Sequence, residues 1–394
     1  MSRGSVSIVG AGMTDFGRFD GADHDLAEAA IRSALDDAGV KWADIDIAVG
    51  GTNGETKPDT LVARLGLTGL PFITVRNGCA TGGVALITAR NALLSGEGRL
   101  AVVVGYDNHA RGAFNSSPAR YGIGDWYGQT GMMVTTSYFA LKTRRYLHDH
   151  GIDESALGMV SQKAFDYGSA HPHAWRRKPI SLEEAMESDL INDPLRRYMF
   201  CSPDAGAVAL VLALDEIAQE MTPRPVRLAS VALRGRRPGS FEVFSPWLSP
   251  GERTSPSIDA ASAALEAAGI TADDLDVAQV QDTDSGSEII HLGETGLCPD
   301  GEQGARLAQG VFAIDGALPV NTDGGCIANG EPVGASGLRQ VHEVTRQLQG
   351  RAAGQQVPGS PRYGFTHVYG TPGISACCVL AVDQPTRKST EEFS

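Results

Sequence analysis

Residues 34–47 read ALDDAGVKWADIDI, and residues 264–277 read ALEAAGITADDLDV. The two segments align without a gap at an offset of 230 positions. Each is an amphipathic helix that stops at a glycine, Gly39 or Gly269, as helix C-termini prefer. A short acidic linker and an apolar strand follow both times, Ile47-Ala48-Val49 and Val277-Ala278-Gln279-Val280. The chain is therefore read as an internal duplication.

The parallel extends outward from there. Residues 79–96, CATGGVALITARNALLSG, and residues 334–350, GASGLRQVHEVTRQLQG, predict a second pair of equivalent helices. Each half closes on an apolar strand, 207–213 and 376–382. Strands alternating with helices imply a mainly parallel or mixed sheet covered by helices on both faces. Two such halves, 1–222 and 223–394, would make a layered α/β body in the order αβαβα. The first half carries an insertion over about 110–200, rich in Tyr, Trp, His and charge. An insertion of that size is more often functional than filler, and a lid or substrate-facing subdomain is the expectation.

Bulk properties remove several functions. At 394 residues and 42% hydrophobic content the chain can bury a large core. A formal charge of −14 argues against nucleic acid as a partner. No run of eighteen apolar residues occurs, and the N-terminal residues show no basic-then-apolar export pattern. The expected setting is the cytoplasm, without membrane contact. Six cysteines (79, 201, 298, 326, 377 and 378) have no zinc-like spacing and do not read as a disulfide scaffold, so no metal is expected.

One cysteine stands apart. Asn77-Gly78-Cys79-Ala80-Thr81-Gly82-Gly83 follows the strand at 72–75 and opens a helix. A thiol at a helix N-terminus meets unpaired N–H groups and the positive end of the dipole, which favour the nucleophilic thiolate. A cysteine tucked into a tight strand–helix turn for packing alone is the competing reading.

The stretch NGCATGGVALITARNALLSG resembles the nucleophile region of thiolases, particularly the sterol-carrier-protein type. Residues 321–337, NTDGGCIANGEPVGASG, resemble that family's second signature, and residues 364–373, GFTHVYGTPG, its C-terminal glycine-rich turn. The resemblance implies the five-layered fold, a homodimer and an acyl-CoA substrate, with coenzyme A as cosubstrate and no bound cofactor. It implies that Cys79 takes up the acyl group. The backbone N–H groups of Cys79 and Gly370 would hold the oxyanion. It further implies a small partner protein with a zinc ribbon and an OB fold. The basic clusters Arg144-Arg145 and Arg176-Arg177-Lys178 are either solvated surface or a seat for the CoA phosphates, and Arg234 to Arg237 form a further basic run.

The departures are as informative. The family's GHP histidine is replaced in Gly330-Glu331-Pro332, its HDCF stretch reads Gln281-Asp282-Thr283-Asp284, and its C-terminal cysteine falls at Val368. A carboxylate at 331 would oppose thiolate formation, yet could act as a base if desolvation raised its pKa. Three further candidates for moving protons are His367, Tyr369 and Asp282. Two chemistries stay open: acyl transfer through Cys79, or retro-aldol cleavage of a 3-hydroxyacyl-CoA, such as a steroid side chain, without a covalent intermediate. A non-catalytic partner subunit is the third.

Overall fold

The structure is a computed structural model that describes residues 4–112, 114, 116–245 and 254–382. The first half runs β1 (Val6–Met13), α1 (Asp23–Ala38), β2 (Ile47–Gly51), α2 (Val62–Leu65), β3 (Phe72–Val75), α3 (Thr81–Ser95) and β4 (Leu100–Asn108). The insertion adds α4 (Asp125–Gln129), α5 (Thr135–His150), α6 (Ser155–Ala170), α7 (Leu182–Glu187) and a small hairpin, β5 (Leu190–Asn192) with β6 (Leu195–Arg196). Strand β7 (Ala205–Leu214) and α8 (Asp215–Met221) complete that half. The second half comprises β8 (Val226–Gly235), α9 (Pro256–Ala268), β9 (Val277–Val280), α10 (Ser285–Glu294), α11 (Gln303–Ala308), α12 (Gly325–Asn329), α13 (Ser336–Gln349), β10 (Tyr363–Gly370) and β11 (Ile374–Ala381).

The duplication is visible in hydrogen bonds. Helix α1 ends at Gly39 (φ 68°) and α9 at Gly269 (φ 70°), each glycine N–H returning to carbonyls of the last turn. A Cβ at these left-handed positions would be strained, which is why both are glycine. In the linkers that follow, Asp44 accepts from the Lys41 N–H and Asp274 from the Thr271 N–H, both at 2.8 Å. Two residues on, Asp46 takes the N–H groups of Arg99 and Leu100, and Asp276 those of Arg362 and Tyr363. The same sequence pattern builds the same turn twice.

The strands form one mixed sheet of nine, in the order β3-β2-β4-β7-β1-β8-β11-β10-β9. The halves meet where Ser7 and Ile8 of β1 face Arg227 and Val226 of β8. Helix α1 covers one outer face through Ala27, Ile31 and Leu35, and α9 the other through Ala260, Ala261 and Ala264. Between them α3 and α13 form the central layer, with Leu86, Ala89, Leu338 and Val341 in the main core. Burying each such Leu or Val side chain stabilises the fold by about 2 kcal/mol. Strands β4 and β7 read as nearly continuous apolar runs because both of their faces are covered.

Glycines let the central helices touch. A Cβ on Gly82 would lie 2.8 Å from the Leu338 nitrogen, and one on Gly337 would lie 3.0 Å from the Gly83 nitrogen. One on Gly105 would strike the Gly334 carbonyl at 2.1 Å. These approaches bring the loop ahead of α3 and the loop ahead of α13 to the same place. The insertion builds its own core from α5, α6 and α7, with Leu147, Leu157 and Phe165, and rests on α10 and α12 through Ile289 and Ile327.

Candidate active site

The loop at 77–80 is held from within and from across the fold. Thr81 Oγ1 accepts the Asn77 N–H at 2.8 Å and donates to the Gly78 carbonyl at 2.6 Å. Gly78 adopts φ 57°, and a Cβ there would meet Thr371 Oγ1 at 2.8 Å. Gly370 is as constrained: its Cβ would lie 2.4 Å from the Asn77 carbonyl and 2.6 Å from the Ala80 nitrogen. The nucleophile loop and the β10–β11 turn therefore lie backbone against backbone.

Cys79 opens onto a cavity of about 430 Å³ together with Glu331, Thr283, Arg76, Arg120 and Phe139. Glu331 is buried from bulk solvent. Its carboxylate accepts from Ser336 Oγ at 2.9 Å and from Gln281 Nε2 at 3.1 Å, and its own N–H donates to the Ser202 carbonyl. Burial pushes the Cys79 thiol well above the ordinary range, and the charge of Glu331, together with a hydrogen bond to it, pushes the same way. Cys201 lies close enough to add to the effect. The thiolate that the helix N-terminus was expected to favour is thus not the resting form. Desolvation and a neighbouring carboxylate both disfavour it.

The chain matches the family model for the thiolase N-terminal domain over residues 6–208, and that for the thiolase C-terminal domain-like region over 252–381. This protein belongs to the thiolase family. It is 32% identical to acetyl-CoA acetyltransferase of Methanothermobacter thermautotrophicus, over 95% of this chain and 99% of that one. It is 29% identical to sterol carrier protein 2 of Homo sapiens, over 98% of this chain and 73% of the relative. Among solved structures, the Ltp2–ChsH2(DUF35) aldolase superposes with a TM-score of 0.86 at 24% identity, covering 97% of this chain and 99% of that one. That last likeness speaks for the fold alone.

Within this thiolase-family chain the other expected site residues scatter. Asp282 turns from the cavity and accepts the N–H groups of Cys326 (2.7 Å) and Ile327 (3.3 Å), holding the first turn of α12. Asp284 caps α10 through Ser287. The intervening Thr283 is the residue of this stretch that lines the cavity. His367, in the middle of β10, hydrogen-bonds Ser257 Oγ at 2.9 Å and accepts weakly from the Gln281 N–H at 3.5 Å. Burial holds its pKa well below the usual value, so it is neutral. It does not stand in for the missing histidine beside Cys79. Tyr369 donates to Glu242 at 2.5 Å and belongs to a second, smaller void.

The basic clusters are not at the cavity either. Arg144 pairs with Glu154 and Asp193, and Arg145 with Asp149 on the next turn of α5. Arg176 is spent on the Phe200 and Ile327 carbonyls and Ser202 Oγ. Arg177 donates to the Pro172 carbonyl, and both it and Lys178 are exposed and do not line the cavity. Among the described residues, the cations that do line the cavity are Arg76 and Arg120, single residues in no basic run. Arg76 was legible from its place directly before the Asn77–Gly83 motif; Arg120 carries no such signal. Among the described residues no group of three or more His, Cys, Asp or Glu could hold a metal, and no helix is long and apolar enough to cross a membrane.

Proposed function

We propose that this enzyme makes and breaks a carbon–carbon bond next to a CoA thioester by acyl transfer through Cys79, with Glu331 as its proton carrier. The contact between that thiol and that carboxylate on one cavity wall carries the reading. In the cleavage direction, the Glu331 carboxylate takes the Cys79 proton as the sulfur attacks the keto carbonyl of a 3-ketoacyl-CoA. Collapse of the tetrahedral oxyanion breaks the Cα–Cβ bond and leaves the shortened acyl group on Cys79, and Glu331 returns the proton to the released enolate, giving acetyl-CoA. A second CoA thiol then gives its proton to Glu331, its sulfur takes the acyl group from Cys79 to form the shortened acyl-CoA, and Glu331 returns that proton to the departing Cys79 sulfur. Backbone N–H groups of Cys79 and Gly370, close-packed as described, are the proposed oxyanion donors. Gln281 and Ser336 fix the carboxylate, while Arg76 and Arg120 at the cavity are suited to CoA phosphate.

The assembly is proposed to be a homodimer joined at β3, an edge strand whose Ile73 is 38% exposed. An open apolar edge strand invites pairing with a second copy. A small zinc-ribbon/OB-fold partner is proposed as well, because the structural neighbour is a pairing of Ltp2 with ChsH2.

One observation favours a second reading. A thiol held protonated by burial and Glu331 is a poor resting nucleophile, whereas Glu331 in the same cavity could remove the proton of a 3-hydroxyl and release an enolate directly. Cys79→Ala protein, incubated beside the parent with 3-ketoacyl- and 3-hydroxyacyl-CoA esters, separates the two. Acyl transfer requires a mass adduct on Cys79 in the parent and no turnover in the variant. Cleavage of the 3-hydroxy ester that survives the substitution, without an adduct, would replace it with the retro-aldol reaction.

A further inference from the structure

Phe139 has a second face. It lines the Cys79 cavity, and it also lines a void of about 10 Å³ that Lys142, His291, Ser287, Tyr138 and Tyr369 enclose. Such a space holds about one water molecule. Helix spacing explains the arrangement, because Tyr138 and Lys142 lie one turn apart on α5 while the intervening Phe139 points to the neighbouring side. The ring is thus the partition between the large cavity and the small one.

The walls of the small void are unusually polar for a place so deep. Lys142 Nζ pairs with Glu294 at 3.1 Å, and the side chains of both are largely buried. Tyr369 bonds the buried Glu242. His291 Nδ1 donates to the Gln281 carbonyl at 2.7 Å, which leads through the Gln281 side chain to Glu331. Burying a lysine and two glutamates costs several kcal/mol per ion, and an apolar wall would fill this space more cheaply. Ordinary core packing gives no reason for the charges to sit against the acyl-binding cavity. Lys142 carries three N–H donors, and among the described residues its hydrogen bond is to Glu294 alone. Donors remain for an oxygen placed in the void.

Resting on the reading that the large cavity takes the acyl group of a CoA ester, we infer that the void behind Phe139 is a specificity subsite for a neutral oxygen, a hydroxyl or a ketone, carried on that acyl group. The Phe139 ring swings aside, and the oxygen accepts from Lys142. A carboxylate is rejected, because the Glu294 carboxylate already pairs with the ammonium at 3.1 Å.

The test is binding to the Cys79→Ala protein, so that chemistry plays no part. Calorimetry would compare straight-chain acyl-CoA esters of increasing length with their omega-hydroxy and omega-carboxy counterparts. At the length that reaches the void, the hydroxy ester is expected to bind about tenfold more tightly than the plain one, as one added hydrogen bond to a charged donor allows. The carboxy ester is expected to gain nothing. Lys142→Met in that background should bring the hydroxy/plain ratio near one. Lys142→Met with Glu294→Gln, which removes both charges together, repeats the reading if the single variant does not fold. A parent ratio near one at every length, a ratio that survives the substitutions, or failure of any ester to bind overturns the inference. Turnover of plain 3-ketoacyl esters by the unaltered enzyme reports separately on the proposed reaction.

Discussion

The Glu331 carboxylate lies against the Cys79 thiol and raises its pKa. Glu331→Gln should therefore have opposite effects on two measurements. With the charge gone, Cys79 ionises at lower pH, and its alkylation by iodoacetamide near pH 8 should quicken. Turnover of a 3-ketoacyl-CoA should fall by about a hundredfold or more, the range for loss of a general base. Slower alkylation together with unchanged turnover would remove Glu331 from both roles.

Asp282 separates structure from chemistry. It holds the Cys326 and Ile327 N–H groups and does not line the cavity. Asp282→Ala leaves two buried donors without partners, and the loss expected is about 2–4 kcal/mol in denaturant unfolding. The kcat of the protein that remains folded should stay within a few-fold of the parent. A hundredfold fall in kcat at undiminished stability would return Asp282 to the reaction.

These contrasts show what the sequence made legible. The repeat around Gly39 and Gly269 specified the two half-folds because helix stops and acidic turns are local chemistry, carried by neighbours in the chain. The meeting of Cys79, Glu331 and Gly370 followed from motifs whose glycines are required by close approach. The direction each side chain faces was not legible. Asp282 and Thr283 are adjacent, yet one feeds a helix N-terminus and the other the cavity, a choice set by packing against α12. His367 looked like a substitute histidine by its place in the motif, but the alternation of β10 aims it at Ser257. Arginine runs drew attention to Arg144 and Arg176, whereas partners distant in sequence, such as Asp193 and the Ile327 carbonyl, already occupy them.

Glu242 should leave a signature in the pH dependence of stability. Burial and Glu294 raise its pKa while Lys142 and the Tyr369 hydrogen bond lower it, and the outcome is a rise from 4.5 to about 7. The folded state therefore binds this proton more tightly than the unfolded chain does. Its contribution is fully present below about pH 4.5 and is lost as pH rises through about 7. The amount is about 3 kcal/mol in order of magnitude. Unfolding at pH 5 and pH 8 should show Glu242→Gln losing less stability across that interval than the parent. An identical pH slope in the two proteins would mean that Glu242 titrates normally.

The contact between the central helices is tight enough to be tested with one methyl group. A Cβ on Gly82 meets the Leu338 backbone nitrogen at 2.8 Å, and backbone cannot rotate away as a side chain can. Gly82→Ala is expected to cost about 1–3 kcal/mol, the usual price of overpacking. Because the same helices carry the Cys79 and Glu331 loops, kcat should fall with it. A variant as stable as the parent would show that α3 and α13 can separate freely.

Arg76 and Arg120 decide whether the cavity faces a nucleotide-bearing substrate. Both line the space that Cys79 opens into, and neither is placed to reach the sulfur's chemistry through a proton, since guanidinium does not deprotonate in proteins. Their contribution should be to binding. Arg76→Ala and Arg120→Ala are each expected to raise KM for a 3-ketoacyl-CoA by about tenfold, as loss of a charge-assisted contact to phosphate does. The same acyl group on N-acetylcysteamine has no phosphates, so its kcat/KM should be nearly the same in parent and variants. If the truncated ester suffers as much as the CoA ester, the two arginines shape the acyl pocket instead, and the phosphates bind elsewhere.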